Sequence, residues 1–221
     1  MTVHDVARQL PEIAVLCEHS RAMAVLEAVI SPEWENRYHS FDDHWSETES
    51  MASMRSGSGD EYSIVFSPAG AYVRGFDHES PMSPYAEGGP WPGVLDEVPD
   101  VFRPCVEEPA FSDEDGMPIV TACMWRETGD DGWKTGTIDF PDEATEDPDG
   151  AGYLFQLLMD RSPEAFQRWA EDYYQVPVDL EAVRHVFASR PLTEEVVRTL
   201  NSEIVLADLS EDIAEIGYPT S

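Results

Sequence analysis

An α+β fold is what this sequence predicts: an antiparallel β-sheet of about five strands, spanning roughly residues 51–140, packed by N-terminal helices and a C-terminal helical group. Three observations carry that expectation. Apolar residues recur at helical spacing near the start and again after about residue 150. Between them lie short β-branched and aromatic runs punctuated by Gly, Ser, Asp and Pro. A composition that is 42% hydrophobic, with six Trp, eight Tyr and nine Phe in 221 residues, supplies the material of a core. One domain over 1–221 is expected, with 150–221 able to form a helical subdomain.

In chain order, Val6, Leu10 and Ile13 mark a helical stretch over 3–16, and Ala22, Val25, Leu26 and Val29 another over 17–30. Pro11 should bend or divide them. Ser31-Pro32-Glu33 offers an N-cap, a proline at the first helical position and an acid for the helix dipole, yet a strand through Trp34, Tyr38 and Phe41 fits equally well, so the segment is unassigned. From Met51 the strands begin. MASMR connects through Ser56-Gly57-Ser58-Gly59-Asp60 to EYSIVF, which returns through Ser67-Pro68-Ala69-Gly70 into AYVRGF, with proline where a type I or II turn places it. A second hairpin pairs IVTACMWRE with WKTGTIDF, and the apolar run from Ile119 to Trp125 marks a central strand covered on both faces.

Eight prolines within residues 80–118 exclude a central strand there and indicate a tightly packed or functional crossing loop. Inside it, Val94, Leu95, Val98, Val101 and Phe102 predict one helix, or two short ones broken at Pro99. Beyond the acidic loop Asp142–Asp149, Ser162 caps a helix to about Tyr174 that buries Phe166, Trp169 and Tyr173. Asp179 opens a helix that Arg190-Pro191 stops, Thr193 caps the next, and a last one over Leu206–Ile216 ends at Gly217.

The charge narrows the partners. Forty-five Asp and Glu against one Lys and twelve Arg give a formal net charge of -32, spread as -7, -12 and -13 over residues 1–60, 61–140 and 141–221. Such a surface repels phosphate backbones and anionic membranes over a Debye length, about 8 Å in physiological salt, which excludes unassisted nucleic-acid binding. It fits solubility or a salty cytoplasm, complementarity to a basic protein, or mimicry of a nucleic acid. The amphipathic start lacks a secretory signal, and no window reaches the ~18 apolar residues of a membrane span. Cys17, Cys105 and Cys123, odd in number and set apart, read as reduced thiols of a cytoplasmic protein, with burial making Cys17 and Cys123 inert.

Potential metal ligands concentrate at His39, Asp42 and His44 and at Asp77, His78 and Glu79, imidazole and carboxylate groups that a divalent cation accepts. The five-residue spacing of His39 and His44 matches neither a helical i,i+4 pair nor one strand face, so structural histidines at a sheet rim explain them as well. Ser58 or Ser80 beside His78 lacks a nucleophile elbow. The runs Asp113-Glu114-Asp115-Gly116 and Asp147-Pro148-Asp149-Gly150 lack the spaced ligands of a calcium loop and read as solvated turns. Tyr85 and Trp91, on the Pro-rich loop, serve either as interface anchors or as pins to the core.

The runs Gly75-Phe76-Asp77-His78-Glu79-Ser80, Trp91-Pro92-Gly93 and Ile216-Gly217-Tyr218-Pro219, in a chain this acidic, resemble small acidic bacterial proteins of the toxin-immunity type. That resemblance implies tight binding and neutralisation of a partner toxin, and it carries over no functional residue. The expectation is a non-enzymatic cytoplasmic interaction protein without a cofactor. It would bind a basic protein through Tyr85, Trp91, Asp113, Glu114 and Asp115, and neither nucleic acid nor membrane. The alternatives are a divalent-metal hydrolase using the two histidine runs, and a nucleic-acid mimic.

Overall fold

Five strands follow one another in chain order across an antiparallel sheet: β1 (His39–Asp42), β2 (Ser50–Arg55), β3 (Glu61–Ser67), β4 (Gly70–Phe76) and β5 (Ala122–Glu127). The computed structural model describes residues 1–141 and 146–220. Around the strands lie α1 (Val3–Ala7), α2 (Ile13–Ile30), α3 (Pro84–Glu87), α4 (Arg103–Val106), α5 (Ala151–Leu154), α6 (Gln156–Met159), α7 (Pro163–Tyr174), α8 (Leu180–Phe187), α9 (Glu194–Leu200) and α10 (Ser210–Ile216). This is the α+β class with helices at both ends of the chain. The chain divides into two compact units, Met1–Ile13 with Ser53–Met159, and Ala14–Ala52 with Asp160–Ser221. Of the acidic loop Asp142–Asp149, residues 142–145 lie outside the described residues.

In the first unit the two-residue Pro68-Ala69 connection fixes the register of β3 on β4, from Ser67 opposite Gly70 to Glu61 opposite Phe76. Gly70 meets a geometric demand: its φ is +143°, and a Cβ there would lie 2.1 Å from the Arg126 carbonyl oxygen. Both faces of this hairpin are covered. Tyr62 packs against Phe155 at 5.6 Å between ring centroids, while Tyr72, on the other face, lies 6.3 Å from Phe102. Burying those rings contributes about 2 kcal/mol or more each, so the hairpin is the natural centre of the unit. Arg74, only 2% exposed, is held by ion pairing to Glu61, by the Ile119 carbonyl and by the Phe111 ring 4.8 Å away. A buried cation without such partners would be untenable.

Two strand expectations need correction. The run Ile119–Trp125 does not form a central strand; β5 is the last in the sheet order, although Ala122 to Arg126 are all buried. Its expected partner WKTGTIDF contributes only a single bridge, in which Trp125 and Lys134 exchange N–H···O bonds of 2.9 and 2.8 Å. Part of that segment bonds to the Pro-rich loop instead. Thr137 N–H donates to Glu97, Trp91 Nε1 donates to the Asp139 carbonyl, and the Gly93 oxygen approaches Gly136 too closely for any Cβ. Residues 94–98 form turns rather than a helix, and a 3₁₀ turn over Asp100–Phe102 leads into α4 just past Pro99.

In the second unit the caps fall where the polar residues predict. Ser162, Asp179 and Thr193 accept from the N–H groups of Ala165, Ala182 and Val196, and Gly217 ends α10 in a left-handed conformation. The segment after Ser31 resolves into a 3₁₀ turn at Trp34–Asn36 followed by β1. α7 buries Ala165, Phe166 and Ala170; Trp169 is only half-buried, and Tyr173 is 42% exposed rather than buried as its spacing predicts. Both join a ring cluster with Tyr38 and His39.

Candidate functional site

On the Pro-rich loop, Tyr85 stands on the one-turn helix α3 and is 59% exposed, its ring edge-on to Phe76 at 5.9 Å. Trp91 is half-buried and tied down by its 2.9 Å bond to the Asp139 carbonyl, so it pins the loop. Asp113 folds its own turn: Oδ1 accepts from the N–H groups of Asp115 at 3.0 Å and Met117 at 2.8 Å. Glu114 and Asp115 point their charge into water. Among the described residues, no hydrogen bond or ring contact joins Tyr85 or Trp91 to this acidic turn.

The two histidine runs have different fates. β1 buries His39, whose Nδ1 lies 2.7 Å from Oε1 of Glu27, a carboxylate with no exposed surface on α2. The other Glu27 oxygen accepts from the Tyr38 N–H at 3.0 Å and from the Tyr174 hydroxyl. Burial, first, and the Glu27 charge, second, hold the Tyr174 proton far above the ordinary phenol range. His39 is therefore a structural group. Asp42 spends an oxygen on the His44 N–H at 2.7 Å, and His44 is exposed. Among the described residues, His39, Asp42 and His44 do not come together as a three-ligand group.

Among the described residues, one group brings three such ligand atoms within 4.8 Å of one another: Asp60, Asp77 and His78. Glu79, expected with them, is exposed and outside the group. Asp60 was not anticipated, because Gly57-Ser58-Gly59-Asp60 reads as turn chemistry. The signal was present nonetheless: opposing residues of the hairpin sum to 137, so one step past Glu61 and Phe76 sets Asp60 against Asp77. His78 Nδ1 lies 2.6 Å from Asp60 Oδ1, which also accepts from the His78 backbone N–H at 3.1 Å, and Ser56 Oγ donates to the other oxygen. Burial pushes Asp60 up, but these donors outweigh it and its carboxyl sits below the usual range; the same bond raises His78. Asp77 goes the other way, raised by burial despite the Glu79 N–H that its Oδ1 accepts. Gly150 keeps φ at +71° against it, and a Cβ there would lie 2.4 Å from Asp77 Oδ2.

Two open clefts lie elsewhere among the described residues. One, of about 550 Å³ in the first unit, is lined by Trp125 and Trp133 with His4, Arg8, Glu97 and Lys134. The other, of about 580 Å³ in the second unit, is mainly apolar, lined by Val15, His19, Pro163 and Phe187 with Arg161 and Arg184 at its edge. Burial pushes the Cys123 thiol up to about 12 and raises Cys17, so neither is a nucleophile at neutral pH. Among the described residues, no helix is long and apolar enough to cross a membrane. No protein-family model matches this chain, and no curated protein or solved structure matches it either.

Proposed function

We propose that this chain is a non-enzymatic interaction protein that binds and occludes a basic protein, a toxin in the immunity reading. Its uncompensated charge carries the proposal. If every Lys and Arg neutralised one acid, 32 of the 45 carboxylates would remain, and they are distributed along the whole chain. Opposed fields of that size steer encounter and suppress wrong partners, while buried anchors hold the complex. Tyr85, broad and exposed on the Pro-rich loop, supports an anchor role, and Glu114 and Asp115 supply exposed charge on the same loop.

The test is affinity capture from a native lysate, followed by association kinetics of the purified pair as a function of salt. A basic protein held in stoichiometric amount should associate at least tenfold more slowly in high salt, with dissociation little changed. Tyr85→Ala should accelerate dissociation, and Glu114→Lys with Asp115→Lys should slow association. A neutral partner with salt-independent association defeats the reading.

A further inference from the structure

We propose that Asp60, Asp77 and His78 bind one divalent transition-metal ion, a site that stands independently of the interaction reading. The three groups sit at one end of the β3–β4 hairpin, and their ligand atoms already lie within 4.8 Å of one another. The scaffold beneath them is hydrogen-bonded. Asp60 and Asp77 follow from the strand register, and Thr121 fixes the backbone there, taking the Asp77 N–H at 3.1 Å while donating to the Asp149 carbonyl at 2.8 Å. Asp77 Oδ1 accepts the Glu79 N–H, whereas Oδ2 accepts no hydrogen bond from the described residues. Among the described residues, that oxygen keeps its lone pairs without a hydrogen-bond donor.

Charge points the same way. Asp60 and Asp77 share a single imidazole, and Asp147, whose charge acts on Asp77, spends its own oxygens on the N–H groups of Gly152 and Tyr153. A dication balances Asp60 and Asp77 with a neutral His78. The proton now shared by His78 Nδ1 and Asp60 Oδ1 leaves for solvent, and the ion takes its place between the two atoms. Metal–ligand bonds of about 2.0–2.2 Å require the 2.6 Å contact to open slightly, and the His78 side chain, 41% exposed, is free to shift. An imidazole beside two carboxylates suits zinc, manganese or cobalt, whereas calcium and magnesium favour all-oxygen shells. Once bound, the ion ties the Ser56–Asp60 turn to the residues leaving β4.

The experiment is a Co²⁺ titration of chelator-stripped full-length protein in physiological salt, followed by visible absorption and calorimetry. One equivalent should bind, and Zn²⁺ but not Ca²⁺ should displace it. Asp77→Asn and His78→Ala should each weaken binding at least tenfold. His78→Gln, which keeps the bulk, should do the same, and circular dichroism of the metal-free variants should match the parent, separating ligand loss from misfolding. Unchanged Co²⁺ binding in the folded variants, or equal competition by Ca²⁺, would assign the ion to diffuse surface carboxylates and overturn the proposal.

Discussion

Two carboxylate–imidazole pairs of nearly equal length occupy opposite environments. Asp60–His78, at 2.6 Å in the first unit, leaves the His78 side chain 41% exposed; Glu27–His39, at 2.7 Å in the second, leaves its side chains 0% and 4% exposed. In the buried pair the protein itself satisfies both Glu27 oxygens, through His39, the Tyr38 N–H and the Tyr174 hydroxyl. At the hairpin end, a second carboxylate stands beside the pair with an oxygen left over. The same side-chain chemistry is architecture where water is excluded and a reagent where it is not.

The strongest way to break this comparison is His39→Ala. It strips the 2.7 Å imidazole bond from a carboxylate with no exposed surface and opens a hole among Tyr38 and Trp169, so a loss of about 3 kcal/mol or more is expected in urea denaturation. A loss below about 1 kcal/mol would show that the buried pair is as dispensable as an exposed one.

Asp149 sharpens the contrast, being a fully buried carboxylate in the first unit with no ion pair among the described residues. It accepts from the Val3 and Ala151 N–H groups, yet burial pushes it up to about 6. The folded state thus keeps a proton that the unfolded chain releases near pH 3.8, so stability rises as pH falls from 7 through 6 towards 4. That difference of about 2 pH units, in which the two N–H donors already offset part of the burial, corresponds to about 3 kcal/mol. Asp149→Asn should flatten the stability profile over that window; an unchanged slope would place the titration elsewhere.

The smallest effect belongs to His78→Ala, which should leave the urea midpoint almost where it was. What little His78 contributes follows its raised pKa: present below the ordinary imidazole range, lost as pH rises through the higher folded value. A midpoint shift as large as that of His39→Ala would erase the distinction between the two pairs.

Local grammar explains how much of this was readable beforehand. Caps at Ser162, Asp179 and Thr193 and the turn at Pro68-Ala69 are decided within a few residues, so composition alone locates them. The fate of WKTGTIDF is not local, because Glu97 and Trp91, some 40 and 48 residues from their partners, compete for its backbone and win. Glu27 illustrates the limit at the site. Set in an apolar helix among Ala24, Val25, Leu26 and Ala28, it carries no mark of the tyrosine 147 residues later that completes it. Asp60 was closer to hand, since counting the hairpin register past its last pair finds it.

The discontinuity of the second unit has a consequence for the order of synthesis. Residues 14–52 leave the ribosome with α2 and β1 complete, but α7 to α10 follow only after the entire 53–159 segment. Through that interval Glu27 can hold His39 and the Tyr38 N–H, while the place of Tyr174 belongs to water. A translating chain therefore carries a carboxylate that ends fully buried in hydrated form for most of its length, and the last third of the polypeptide dries it.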